Sequence, residues 1–214
     1  MSISHLSRST NSTFSCPCGE VFDSPVYEYV NVVEDPRLRY AVLAGLLNVA
    51  TCPSCGRRAA TVRPFVYSDV PHNLLAYVHP EADAPEEARQ IILEKLRDVY
   101  MRVVDEQEAQ PEEVSSKVAG ASEIPPLRVI FGTDQLHELI NASLSADERL
   151  GRLALSTHSR NEAERGQLLA IARKLALEMQ CLVEEEDLPD EYIVWLYGSR
   201  RQIGALMREL TPRG

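Results

Sequence analysis

Two short cysteine motifs, Cys16-Pro17-Cys18-Gly19 and Cys52-Pro53-Ser54-Cys55-Gly56, constrain this chain more than any other feature. A structural zinc ion takes four soft ligands in a tetrahedron, with Zn–S near about 2.3 Å. Two cysteine turns brought together from separate parts of a chain supply that set. Each motif closes on a glycine, Gly19 or Gly56, which lets the chain turn sharply with positive φ. Each also carries a proline after its first cysteine, which sets φ and removes one amide. Cys16, Cys18, Cys52 and Cys55 are therefore the expected ligands of one structural Zn2+. The second pair has the usual two-residue gap, and the first has a gap of one.

Other chemistries fit the motifs less well. Disulfides suit secreted chains, and the first fifteen residues are Ser/Thr-rich without the apolar stretch of a signal peptide. Buried free thiols are the bland alternative. A redox Cys-x-x-Cys opens a helix in a βαβ unit, whereas the residues after Cys55 read as a strand. His72 or His79 could replace a cysteine as ligand, although a turn histidine and a strand-end histidine are the simpler accounts. Four protein ligands leave no open position for catalysis by the metal. Cys181 falls on an amphipathic helical stretch and reads as a small buried hydrophobe.

Residues 16–80 also resemble the CpXC domain, a bacterial and archaeal family named for its two Cys-Pro-x-Cys motifs. The likeness extends past the cysteines to Val30-Asn31, Asp35-Pro36-Arg37-Leu38 and Leu43-Ala44-Gly45-Leu46-Leu47-Asn48. Phe65-Val66-Tyr67-Ser68-Asp69 resembles the family's Leu-Leu-Tyr-His-Asp segment. This chain departs from the pattern twice. Its first motif is one residue shorter, and Ser68 stands where the family tends to have histidine, which argues against a histidine role there. The resemblance implies a metal module without an established activity.

Charge narrows the function classes. The chain has a formal net charge of −10, and residues 1–80 are balanced while the acidic excess lies beyond them. Nucleic-acid binders gain affinity by neutralising phosphates with Lys and Arg, and that source is thin here. The longest apolar run, 41–49, is too short to span a bilayer. Five cysteines, four of them in the two motifs, fit a reducing cytoplasm.

Periodicity supplies the rest. Residues 1–13 read as a disordered tail, 28–33 as a strand, and Asp35-Pro36 as the start of a helix reaching about Leu47, with Asn48 as its C-cap. Strands are expected over 59–67 and 74–79, then a linker at 81–85 and a helix over 85–107. Residues 107–126 lack periodicity and hold several breakers, so a mobile loop is expected. A strand over 127–131 and a helix from 133 or 134 to 144 come next. Ser145-Ala146-Asp147-Glu148 fits a capping box for another helix. Asn161 caps a long helix over 162–184, 191–197 reads as a strand, and Ser199 caps a last helix over 200–210.

The expected fold is α+β: a four-cysteine, zinc-ribbon-like β module with an inserted short helix over 14–80, then a mainly helical part over 85–214. No catalytic constellation is legible. Gly132-Thr133-Asp134 lacks the pattern of a phosphate loop, and His137, Glu138 and Ser156-Thr157-His158-Ser159 have no partners at catalytic or metal spacing. The expected function is that of a non-enzymatic cytoplasmic zinc protein acting as a protein-interaction or adaptor subunit. The alternative is a transcription- or nucleic-acid-associated zinc ribbon, for which Arg57-Arg58 beside the second motif speaks. Partner, pathway and oligomeric state are not written in the sequence.

Overall fold

The computed structural model describes residues 6–108 and 125–210, with the side chains of 99–108 excepted. The loop expected at 107–126 lies almost wholly outside the described residues. In chain order the described elements are β1 (Arg8–Ser15), β2 (Val21–Asn31), α1 (Arg37–Leu43), β3 (Val49–Thr51), β4 (Arg58–Ala60), β5 (Phe65–Asp69), a 3-10 turn (Val70–His72), β6 (Leu74–His79), α2 (Glu86–Glu108), β7 (Leu127–Phe131), α3 (Thr133–Ser143), β8 (Leu150–Thr157), α4 (Glu162–Met179), β9 (Leu182–Asp187), β10 (Tyr192–Ser199) and α5 (Arg200–Leu210).

Three sheets organise these elements. The largest runs β1-β2-β5-β6-β7. Its β1/β2 and β5/β6 pairs are antiparallel, whereas β2/β5 and β6/β7 are parallel. Parallel neighbours need a crossover connection. The first crossover carries α1 and the small β3–β4 hairpin, and the second carries α2. Val30, Tyr67, Leu74, Val78 and Ile130 of this sheet are fully buried against Leu38 and Val42 of α1 and Leu136 and Ile140 of α3. The second sheet, β8-β10-β9, is antiparallel throughout. It buries Val194 and Leu196 against Ala172 and Ala176 of α4 and Ile203 and Leu206 of α5. Helix α1 also packs against β9 and β10, which joins the two layers.

Several expected elements form as read. The N-cap of α1 is Pro36, one residue later than read, and Asp35 just before it accepts from the Arg37 amide through Oδ1 at 3.1 Å. Helix α1 ends at Leu43, earlier than Leu47, because Gly45 adopts φ +68 and turns the chain back. Asn48 does take positive φ, 57°, but its amide is used on β2: Oδ1 accepts from Tyr27 N at 2.7 Å and Nδ2 donates to Tyr27 O at 3.0 Å.

Three readings are corrected. Residues 8–13, expected in a disordered tail, belong to β1, which pairs with β2 from Arg8↔Tyr29 to Ser15↔Val21. The Ser145–Glu148 capping box forms, with Ser145 N and Oγ both bonded to Glu148 Oε2, but it closes a turn. The chain leaves that turn as strand β8, whose Leu153 and Leu155 alternate with exposed Arg152, Ala154 and Ser156. The long helix stops at Met179, where Gln180 adopts φ 54, and 182–187 is strand β9. Beyond residue 85 the described chain thus carries four strands beside its four helices. One of them, β7, pairs with β6, so the largest sheet crosses residues 80–85. No described helix is long and apolar enough to cross a membrane.

Candidate metal centre

The two cysteine motifs sit at the tips of two hairpins. The first turns the chain between β1 and β2, just past the Phe14↔Phe22 and Ser15↔Val21 pairs. The second turns it between β3 and β4, just past Thr51↔Arg58. A two-stranded hairpin alone is marginal in water, so what joins the tips matters to both.

The two turns are built alike despite their different gaps. In the first, Gly19 N donates to Cys16 O at 2.9 Å and Cys16 N to Glu20 O at 2.8 Å. In the second, Gly56 N donates to Cys52 O at 2.9 Å and Cys52 N to Arg57 O at 2.9 Å. The missing residue shortens the first turn by one position and leaves its closing bonds in place. Gly19 at φ 96 and Gly56 at φ 70 hold the left-handed conformation these closures need. Ser54 Oγ donates to Glu20 Oε2 at 2.8 Å, tying one turn to the other.

All four Sγ atoms lie within 4.8 Å of one another. Cys16 and Cys55 approach to 3.5 Å, Cys18 and Cys52 to 3.6 Å. Four sulfurs about 2.3 Å from a common centre would stand about 3.8 Å apart, so the cluster has the size of a tetrahedral thiolate site. The close pairs are too far apart for disulfides, whose sulfurs stand about 2.05 Å apart. All five cysteines are free thiols. A divalent ion held here would offset two of the four thiolate charges and lock the two tips together, with all four positions taken by protein.

Without a metal, the Cys16 and Cys52 thiols hold their protons unequally. The Cys18 amide favours the Cys16 thiolate, but burial and the thiols of Cys18, Cys55 and Cys52 push Cys16 up to about 12. For Cys52, burial opposes ionisation, yet the Cys55 and Ser54 amides and the thiols of Cys16 and Cys18 outweigh it and bring the group down to about 7. Binding of all four sulfurs to one cation must therefore release protons.

The other candidate ligands lie elsewhere. His72 Nδ1 sits 2.7 Å from Asp69 Oδ1, and the His79 ring lies tilted at 5.8 Å from the Phe131 ring. Neither belongs to the cysteine cluster. Cys181 is buried at 2% exposure, packs among the α4–β10 core and has its thiol pushed up to about 11 by burial.

Sequence reasoning missed a second polar cluster. Asp69, fully buried at the end of β5, accepts from Arg39 Nε and Nη2 at 3.0 and 2.8 Å and from Tyr67 Oη at 3.3 Å. Across the ring of His72, Nε2 stands 3.3 Å from Glu148 Oε1. Arg39 and Glu148 also line a polar cavity of about 520 Å3 beside Tyr40, Ser199 and Gln202. The available signal was an aspartate ending the strand segment Phe65 to Asp69, next to Ser68 and after three large apolar or aromatic residues.

The family model described as CpXC protein matches residues 14–150, which takes in both cysteine turns, the complete β2-β5-β6-β7 core and α3. No curated protein and no solved structure matches the chain. With both cysteine turns inside a match that spans well over half of its length, the chain belongs to the CpXC family.

Proposed function

We propose that this protein is a zinc-binding, non-enzymatic interaction or adaptor subunit of the cytoplasm, with one Zn2+ held by Cys16, Cys18, Cys52 and Cys55 in a zinc-ribbon-like arrangement. The observation that carries the reading is the meeting of four sulfurs at the tips of two hairpins that are far apart in sequence. Zinc suits the site because it favours thiolates and tetrahedral closure. A closed set of four protein ligands gives the ion a structural role.

Support for a protein partner comes from the second sheet. On its outer face Trp195 and Tyr197 stack with ring centroids 6.4 Å apart, and the Arg152 guanidinium lies 5.3 Å from the Trp195 ring. Both rings are partly exposed. Trp, Tyr and Arg are the residue types that most often carry binding energy between proteins. A nucleic-acid role draws less support, since Arg58, one of the two basic residues beside the second motif, is engaged with Glu184.

Elemental analysis of the purified chain should find close to one zinc per molecule. A tagged pull-down from the native host, read by mass spectrometry, should return a protein partner that Trp195→Ala loses. A chain that binds DNA or RNA in a salt-dependent shift assay, and captures no protein, would overturn the adaptor reading.

A further inference from the structure

The four thiols are paired across the hairpins. Cys16 of the first turn lies 3.5 Å from Cys55 of the second, and Cys18 of the first 3.6 Å from Cys52 of the second. Each pair holds one exposed member, Cys55 or Cys18, and one more sheltered member, half-buried Cys16 or buried Cys52. We infer that the cluster is an oxidisable clasp, in which a peroxide forms two disulfides, Cys16–Cys55 and Cys18–Cys52, expelling the metal while keeping the hairpin tips joined. The metal half of this inference rests on the zinc reading above. The pairing rests on the sulfur positions alone.

The chemistry balances with peroxide as the only oxidant. The exposed Cys55 sulfur attacks one peroxide oxygen, the O–O bond breaks, and the other oxygen leaves as hydroxide and takes a proton to become water. Cys55 is then a sulfenic acid. The Cys16 sulfur attacks Cys55 and gives up its proton, an S–S bond forms, the S–O bond breaks, and the departing hydroxide takes that proton to become the second water. Two thiols and one peroxide give one disulfide and two waters, the two sulfurs supplying the two electrons. Cys18 and Cys52 repeat the sequence with a second peroxide. Disulfide sulfurs carry no charge and hold a cation far less well than thiolates, so the ion leaves.

Geometry favours these bridges over those within a motif. Closing 3.5–3.6 Å to the roughly 2.05 Å of a disulfide is a small movement. A Cys16–Cys18 bridge would have to close around Pro17, whose ring holds φ near about −65°. The bond from Ser54 Oγ to Glu20 Oε2 links the two turns beside the sulfurs. Oxidation and chelation therefore differ in consequence: both remove the ion, and oxidation alone leaves the tips covalently tied.

Peptide mapping tests this. The metal content of the reduced full chain is measured first by elemental analysis. The protein then receives one equivalent of hydrogen peroxide, is alkylated in denaturant and is digested with trypsin without reduction. The expected product joins peptides 9–37 and 40–57 through one disulfide, with alkyl groups on Cys18 and Cys52 or on Cys16 and Cys55. In protein given two equivalents before alkylation, Cys16, Cys18, Cys52 and Cys55 should carry no alkyl group, the remaining metal should pass to a chromogenic chelator, and Cys181 should still be alkylated. A Cys52–Cys55 bridge within 40–57, or sulfinic acid on unjoined peptides, overturns the pairing even if the starting protein holds metal. Joined peptides from a protein that never held metal uphold the pairing, and overturn both metal expulsion and the zinc reading.

Discussion

Arg58 Nη2 donates to Glu184 Oε1, tying the hairpin that carries the second cysteine turn to edge strand β9 of the other sheet. The same guanidinium reaches the Glu185 carbonyl at 3.4 Å. Burial pushes the Glu184 carboxyl up, and the Arg58 charge pulls against that rise. The second cysteine turn is thus held from two sides: by the first hairpin through the sulfur cluster, and by the second sheet through Arg58.

Metal removal should act locally before it acts globally. Isolated small metal modules owe roughly 10–16 kcal/mol to their ion, but here β2 continues into a sheet with its own buried core at Val30, Tyr67 and Val78. Chelation, or Cys52→Ser, should expose residues 15–21 and 49–60 to rapid hydrogen exchange and loosen 182–187 through Arg58. Strands β5 and β6 should stay protected. Loss of protection across both sheets at once would show that the ion supports the whole chain.

The cysteine site was legible in sequence because its signal is local: residue type, spacing and a following glycine at each turn. Helices α3 and α5 were legible from apolar residues at helical spacing, and strand β6 from a short apolar run after the Pro71-His72-Asn73 turn. Strand β1 was not, since Ser and Thr on both of its faces leave no apolar alternation; it is held by its ladder to β2, the Phe14–Phe22 stack and the Thr13–Asp23 bond. Strand β9 was hidden by its acids, which look like a solvated helix end. In the fold each acid has a partner: Arg58 for Glu184, Arg173 and Tyr192 for Glu185, Trp195 for Glu186, Arg165 for Asp187. Those partners come from other elements, and no local pattern announces them.

Asp69 should be among the least replaceable residues. Its carboxylate has no exposure and neutralises Arg39, whose side chain is 13% exposed. Breaking a buried pair by removing one partner costs about 3–5 kcal/mol. For a chain of this size, Asp69→Ala should lower Tm by about 10 °C, measured by calorimetry. A fall of only a degree or two would mean that water reaches Arg39 and replaces the lost carboxylate.

Acid should act on Glu148 in a defined direction. The Ser145 hydroxyl, the Ser145 amide and then His72 hold its carboxyl down, from the ordinary 4.5 to about 2. A carboxylate with a depressed folded-state value stabilises the fold above the unfolded value and loses that contribution as pH falls through the folded one. The window is therefore about pH 4.5 down to 2. Since the side chain is 47% exposed, solvent screens the effect and it should be small. Urea midpoints should fall less steeply across this window in Glu148→Gln than in the parent chain. Identical slopes would show that the turn opens before Glu148 takes its proton.

Gly198 and Cys181 make the sharpest test of packing in the second sheet. A Cβ at Gly198 would stand 2.7 Å from Cys181 Sγ, well inside contact distance, and 3.2 Å from Gln202 Oε1. Cys181 is 2% exposed in the α4–β10 core, so its sulfur has little room to move, and the Gln202 amide is held by bonds to Tyr40 Oη, Ser199 N and Met179 O. Overpacking of this kind costs about 1–3 kcal/mol, and Gly198→Ala should lower stability by that amount. Cys181→Ala removes the offending sulfur. In the double variant the two alanines share the space, so its loss should be smaller than the sum of the single losses, a coupling that denaturant midpoints can measure. Cys181→Ala alone should leave the metal content unchanged, because its thiol lies outside the four-sulfur cluster. Strict additivity would mean that β10 moves away from α4 to admit the methyl group, and metal loss in Cys181→Ala would overturn the ligand assignment.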